Sequence, residues 1–330
     1  MSTATVAILG TRYQDLAIEE AILEPLGVRL VAGAGRDGAD ILAAADGADV
    51  ILAGAAPRFD AGVIERLSCR GIVRYGVGTD SIDLAAAERA GIWVARVSDY
   101  GTEAVAIHAV TLILAGLRRL READARVRAG GWGFGELRPL HLPSATTAGV
   151  IGFGRIGARV GRQLAALGFR VLAHDPYVSV TEAAGGAAVT SATFDQVLAD
   201  SDVVSLHVPG ASDGRPLLDA AALARMKAGS VLVNTARGSL VDAAALVRGM
   251  GADRPRIAAL DVYHPEPPDV GEFSAVADRL ILTPHMAWYT EQSEVDLRTK
   301  AAEEAARLVR GEPPLDVVVA PRAAAEGNRR

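Results

Sequence analysis

The sequence has one cysteine, Cys69, in 330 residues. That excludes a disulfide framework and a cysteine-built zinc site, and it fits a reducing compartment. Aromatic residues make up only 5% of the chain, so aliphatic side chains and glycine must carry the packing. No apolar run reaches the ~20 residues that span a bilayer; the longest, 104–117, is interrupted by His108. The N-terminus shows no basic stretch followed by an apolar one, so no secretory leader is expected. Basic charge is also short: 34 Lys and Arg against 40 Asp and Glu leave a net charge of −6. That argues against nucleic acid as a partner, because phosphate binding needs a basic field. No His, Asp and Glu cluster has metal-site spacing, and no serine sits in a nucleophile elbow. A cytoplasmic protein with neither a membrane partner nor a metal is expected.

The chain is long enough for two domains, each with its own core. Short apolar runs rich in β-branched residues recur at 6–9, 28–31, 50–52, 72–73 and 92–94. Ala-rich amphipathic stretches such as 16–26 and 84–90 separate them. The alternation restarts at 148–151 and continues through 170–173, 202–206, 230–233, 256–260 and 280–282. Two such series predict two α/β domains with parallel sheets and helices on both faces. Between them the pattern predicts one long helix over 102–127, buried in its first half, and then a glycine-rich loop over 129–135. A last helix over 291–310 ends at Gly311, and the small polar tail from Pro321 is expected to be disordered.

The segment 149–157 contains G-x-G-x-x-G at Gly152, Gly154 and Gly157. It follows an apolar run and opens a helix, and Asp175 lies 18 residues beyond Gly157 at the end of the next strand. In that context the glycines mark a dinucleotide site. Gly152 makes the tight turn, Gly154 lets a pyrophosphate approach the backbone, and Gly157 lets helix and strand pack closely. The helix N-terminus presents N–H groups to the phosphates. Asp175 would take ribose hydroxyls and repel a 2′-phosphate, so NAD(H) is expected over NADP(H).

Three later segments, 233–238, 260–267 and 282–288, lie at strand ends, where ligands bind in open α/β sheets. They supply an arginine, a carboxylate and a histidine. Those are the groups that reduction of a 2-keto acid requires. A guanidinium holds the substrate carboxylate, an imidazolium donates a proton as hydride arrives, and a carboxylate orients the imidazole and favours its charged form.

Together with Arg74-Tyr75-Gly76-Val77-Gly78-Thr79-Asp80-Ser81-Ile82-Asp83 and Thr283-Pro284-His285, these motifs resemble the NAD-dependent D-2-hydroxyacid dehydrogenases over almost the whole chain. Glu266 follows Arg237 by 29 residues and precedes His285 by 19, as in that family. The resemblance implies Arg237 as carboxylate anchor, Glu266 as histidine partner and His285 as acid/base. It implies NAD(H) along 152–157, including Arg155 and Ile156, with His207, Val208, Pro209, Thr235, Ala236 and Asp261 lining the cofactor cleft. It gives the substrate, a small 2-keto or 2-hydroxy acid, to Tyr75, Val77, Gly78, Arg237 and Trp288. It also implies a homodimer and two Rossmann-like domains with a cleft between them. A flavodoxin-like substrate domain would span 1–99 and 287–330, and a Rossmann cofactor domain 100–286. Asp99-Tyr100, Arg138-Pro139-Leu140-His141 and Ala287-Trp288-Tyr289 resemble a bacterial branch related to the C-terminal-binding-protein group. Ile107, Gly101 and the segment 210–215 depart from the family pattern.

Two other functions remain open at this point. One is an NAD(H)-sensing, corepressor-like interaction protein. The other is a reductase of a phosphorylated keto acid, for which Arg12, Arg58 or Arg74 would meet the second anion. The blander readings are a surface turn at Arg12 and Tyr13 and an ion pair of Arg74 with Asp80 or Asp83. His207 reads as a strand-end residue rather than a base, His108 as a hydrogen-bonded core or interface histidine, and His264 as surface. His141 and His174 have no partner that the sequence identifies. Cys69 reads as a small buried residue.

Overall fold

The computed structural model describes residues 3–11, 13, 15–211 and 213–321. Arg12 and the tail beyond Pro321 therefore lie outside the described residues. The strands are β1 (Thr5–Leu9), β2 (Arg29–Gly33), β3 (Val50–Ala53), β4 (Gly71–Arg74), β5 (Trp93–Arg96), β6 (Thr147–Ile151), β7 (Arg170–His174), β8 (Val189–Ser191), β9 (Val203–Leu206), β10 (Val231–Asn234), β11 (Ile257–Leu260), β12 (Leu280–Leu282) and β13 (Val317–Val319). The helices are α1 (Ala17–Leu23), α2 (Gly38–Ala44), α3 (Ala61–Ile64), α4 (Leu84–Ala90), α5 (Thr102–Leu117), α6 (Leu120–Arg128), α7 (Arg155–Ala166), α8 (Val180–Ala184), α9 (Phe194–Asp200), α10 (Ala220–Arg225), α11 (Ala243–Gly251) and α12 (Glu291–Val309). Among the described residues no helix is long and apolar enough to cross a membrane. The chain forms two compact units, Met1–Gly101 with Thr290–Arg330, and Thr102–Tyr289.

The first unit holds a six-stranded sheet in the order β13-β5-β4-β3-β1-β2. Strands β1 to β5 are parallel in flavodoxin-like order, and β13 pairs antiparallel with β5 at one edge. The side chains of Asp37, Asp60 and Asp83 accept the N–H groups of Asp40, Val63 and Ala86, which sets where α2, α3 and α4 begin. Each such cap is worth about 1 kcal/mol. Leu9, Ile41, Ile51, Phe59, Ile64 and Ile72 form the core beneath these helices.

The second unit holds a seven-stranded parallel sheet in the order β12-β11-β10-β9-β6-β7-β8. Successive side chains of a strand point to opposite faces. Accordingly Val150, Val203, Val231 and Ala259 enter one core, while their neighbours Ile151, Val204, Leu232 and Ala258 enter the other. Burial on both faces explains why these strands read as unbroken apolar runs. Helices α5 and α7 contribute to the first core through Ile113, Val160 and Leu164, and α9 to α11 contribute to the second through Leu198, Leu223 and Leu246.

The two α/β units with parallel sheets agree with the sequence reading. The single helix over 102–127 does not. It is two helices, because Arg119 takes a left-handed conformation at φ 48°. That turn lets the buried guanidinium bond Glu122 and the carbonyl of Glu136 (2.9 Å). Strands β8 and β13 were not expected.

Leu164 has no accessible surface. Leu164→Ala should lower the unfolding free energy by roughly 2–5 kcal/mol in a urea titration. A loss below about 1 kcal/mol would mean that α7 is not packed as described.

Candidate active site

The glycine turn joins β6 to α7, and each glycine has a steric reason. Gly152 sits at φ +88°, and a Cβ there would lie 2.5 Å from the His207 carbonyl oxygen. A Cβ on Gly157 would lie 1.9 Å from the Gly152 oxygen, so only glycine permits this helix–turn contact. Gly154 faces open space and brings no side chain to the first turn of α7. The leading N–H groups of a helix have no partner within the helix. Arg155 and Ile156 stand in that first turn.

Asp175 follows β7 and closes the turn. Its carboxylate accepts the N–H groups of Phe153 (2.7 Å), Tyr177 (2.8 Å) and Val178 (3.0 Å). Burial alone would raise its pKa, but these three donors hold it below the usual carboxylate range. Asp175 is therefore ionised at neutral pH. His207 and Val208 follow β9, the neighbour of β6 across the point where strand order reverses. The His207 ring lies 2.9 Å from the Ser205 hydroxyl. Beyond β10, the hydroxyl of Thr235 is buried without a hydrogen-bond partner. A glycine turn closed by an ionised carboxylate, an uncapped helix start and an unsatisfied hydroxyl fit a dinucleotide.

The second constellation lies at the ends of β10, β11 and β12. Glu266 Oε2 is 2.7 Å from His285 Nδ1, and Glu266 Oε1 accepts the N–H of Tyr263 (2.9 Å). With Nδ1 on the carboxylate, Nε2 is left for proton exchange. His285 is partly exposed and sits at φ 52°. Asp261 is fully buried. Its carboxylate accepts the Thr283 hydroxyl (2.6 Å) and the N–H groups of Met286 (2.9 Å) and Ala287 (2.9 Å). Arg237 is half-buried and donates to the Ala236 carbonyl (2.7 Å). Asn234 ties that turn by accepting from Ala236 N–H and donating to the Arg237 carbonyl. Trp288 packs edge-on against Tyr289.

In the first unit, the turn after β4 carries Tyr75, Gly76, Val77 and Gly78. Val77 is exposed, while Tyr75 is buried with its hydroxyl on Glu19 (3.0 Å). Arg74 donates to the carbonyls of Ala53 and Tyr75, and Arg58 is exposed.

The remaining histidines and Cys69 sort by their partners. His108 bonds the Thr283 hydroxyl (3.2 Å), His174 bonds the Ala192 carbonyl (3.1 Å), and His264 is exposed. Cys69 is buried, and burial pushes its thiol up to about 12. Sequence reasoning gave no role to Thr283, Tyr263 or Asn234. All three fall inside the segments it singled out, but their hydrogen bonds depend on side-chain direction.

The sequence model "D-isomer specific 2-hydroxyacid dehydrogenase, NAD binding domain" matches residues 110–287. The chain belongs to the D-isomer-specific 2-hydroxyacid dehydrogenase family. It is 37% identical over 265 residues to a D-3-phosphoglycerate dehydrogenase of Archaeoglobus fulgidus, covering 80% of this chain and 50% of that one. The chain thus spans about half the length of the curated relatives it matches. Among solved structures, a glyoxylate reductase from Paecilomyes thermophila superposes with a TM-score of 0.85 at 30% identity, covering 96% of this chain and 99% of that one. A D-lactate dehydrogenase from Aquifex aeolicus, complexed with NAD and lactic acid, superposes at 0.83 with 26% identity and the same coverage. The matched family segment is an NAD-binding domain, and it contains the glycine turn, Asp175, Arg237, Glu266 and His285.

Burial pushes the His207 imidazole down from 6.5 to about 4. Between those values the unfolded chain binds the extra proton. Stability is therefore full above pH 6.5 and falls as pH drops towards 4. The His207 share is roughly 3 kcal/mol at most. Urea unfolding at about pH 7 and about pH 5 should show this loss in the wild type and a smaller one in His207→Gln. Equal losses would remove His207 as the cause.

Proposed function

We propose that the protein is a reversible NAD(H)-dependent reductase of small 2-keto acids, forming the D-2-hydroxy acid. The His285–Glu266 pair carries this reading: it supplies an oriented proton donor in the same unit as the glycine turn. When bound, NADH supplies the hydride. The turn at 152–157, with Arg155 and Ile156, takes the pyrophosphate. Asp175 takes the adenosine ribose, and its charge disfavours a 2′-phosphate. His207, Val208, Pro209, Thr235, Ala236 and Asp261 complete the cofactor's surroundings. Arg237 and the N–H groups of Val77 and Gly78 take the substrate carboxylate. His285 Nε2 delivers the proton to the carbonyl oxygen, while Glu266 stabilises the imidazolium it starts from. Trp288 shapes the substrate pocket. We take 100–286 as the cofactor domain, and 1–99 with 287–330 as the substrate domain.

The names of the relatives, among them phosphoglycerate dehydrogenase, lactate dehydrogenase and glyoxylate reductase, support the substrate class and leave the individual acid open. Within the family we place the chain with the bacterial branch resembling C-terminal-binding proteins, on Asp99-Tyr100, 138–141 and Ala287-Trp288-Tyr289. The intact Arg237, Glu266 and His285 favour turnover over a purely sensing role.

NADH oxidation against glyoxylate, hydroxypyruvate, 3-phosphohydroxypyruvate and a branched keto acid tests the reading, with NADPH alongside. Turnover of one acid with NADH is expected, and NADPH preference would contradict the role of Asp175. His285→Ala should lower kcat about 10²–10⁴-fold and leave NADH affinity unchanged. Equal loss of NADH affinity would refute the proton-donor role. Arg237→Ala should lower kcat/KM for the keto acid.

We also propose a homodimer through α5, α6 and the loop after them. Ile107, Leu120, Val127, Trp132, Phe134 and Leu142 along this stretch are at least half exposed. Sedimentation should give twice the chain mass for the wild type and a lower mass for Trp132→Ser. A monomeric wild type would sink the proposal.

A further inference from the structure

The first unit contains a buried charge cluster that the reaction does not use directly. Glu19 on α1 has no accessible surface. Arg298, from the middle of α12, meets it with two bonds, Nε to Oε1 (3.0 Å) and Nη2 to Oε2 (2.7 Å). The Tyr75 hydroxyl donates to the same Oε1 (3.0 Å). The Tyr13 ring lies 4.5 Å from the Arg298 guanidinium and stands edge-on to Tyr75, with centroids 5.3 Å apart.

An ion pair of this kind is a poor way to glue two helices. Removing both charges from water is costly, and apolar side chains of similar volume hold helices as well or better. What the pair supplies is a fixed acceptor at one point. Tyr75 meets that point and is fixed at three places: its N–H on the Ala53 carbonyl (2.9 Å), its carbonyl on Arg74, and its hydroxyl on Glu19. Burial and the Glu19 carboxylate raise the Tyr75 pKa, so the phenol stays a donor. Immediately beyond it come Gly76, at φ +131°, and then Val77 and Gly78.

We infer that Tyr75, pinned by the buried Glu19–Arg298 pair, is a positioning residue that aims the Val77 and Gly78 N–H groups at the substrate carboxylate. This rests on the proposed function. The Tyr75 side chain, buried with its hydroxyl on Glu19, would then act from behind the turn through its backbone, in place of the direct substrate contact that the family resemblance implies.

Tyr75→Phe removes one hydroxyl and keeps the ring. The KM for the keto acid should rise about tenfold, the equivalent of losing one hydrogen bond to a charged partner. NADH affinity and kcat should stay within about twofold. Glu19→Gln should shift KM in the same direction. The double variant should be less than additive, because both changes act on one bond. Calorimetric binding of oxalate to the NADH-loaded protein provides a readout independent of turnover, with Tyr75→Phe expected to bind about tenfold more weakly. A variant that loses thermal stability but keeps the wild-type KM and oxalate affinity would overturn the inference and leave the cluster as a structural joint. So would a wild type that binds no oxalate. If the wild type reduces no keto acid yet oxalate binding weakens as stated, the proposed function fails and the positioning role stands.

Discussion

The carboxylate of Asp261 has no accessible surface, and the end of the second sheet is folded around it. A buried carboxylate needs hydrogen-bond donors. Its donors come from one short segment, the Thr283 hydroxyl and the N–H groups of Met286 and Ala287. Two consecutive N–H groups can point at one anion only if the chain curls. The curl leaves His285 at φ 52°, with its own N–H on the Asp261 carbonyl (2.8 Å). The backbone position of His285 is therefore a consequence of burying Asp261. Tyr263 extends the arrangement. Its hydroxyl bridges the carbonyls of Leu260 and Thr283, and its N–H holds Glu266. Both members of the histidine–carboxylate pair are thus tied to the segments that enclose Asp261.

Burial of the sheet on both faces explains why the polar groups gather where they do. Strands covered by helices on either side have no solvent-facing positions for polar side chains. Polar residues are left to the carboxyl ends, where Asn234, Thr235, Asp261 and His207 appear. These ends are in contact with one another. A Cβ on Gly238 would lie 2.0 Å from the Tyr263 carbonyl carbon, so the turn carrying Arg237 packs backbone to backbone against the turn leading to Glu266. The glycine after Arg237 is a spacing requirement between two functional turns.

Much of this was legible in the sequence because a parallel sheet writes its strands as apolar runs. Runs such as 148–151 and 170–173 fell within a residue or two of β6 and β7. The glycine turn was legible because its three glycines answer three separate steric demands. What escaped had weaker local signals. Strand β8 is three residues of mixed polarity, and β13 is a short edge strand that owes its place to pairing with β5. The break at Arg119 depends on Glu122 and Glu136, and only the three-dimensional arrangement shows that a left-handed turn brings them within reach. Arg298 is harder still. In the sequence it is one charged residue among many on an amphipathic helix, and its partner lies 279 residues away. Periodicity finds buried faces, but it does not find which charged residue on such a face has been given a buried partner.

On the proposed function, the two units hold their anions in different ways. In the second, the first turn of α7 offers backbone dipoles, with Arg155 as the cation at its start. His207 is kept neutral by burial, and Asp175 is kept ionised by its own three donors. A phosphate there meets N–H groups whose direction is set by the fold, with an anionic group alongside that accepts hydroxyls. In the first, the turn at 76–78 follows β4 and does not open a helix. Backbone bonds of Gly76 to Arg74 and Val97 hold it, and we infer that Tyr75 aims it, fixed by a charged pair that does not rearrange without exposing or neutralising a buried carboxylate. Where a helix supplies the rigidity, glycines suffice; where a loop must supply it, the chain uses a buried ion pair.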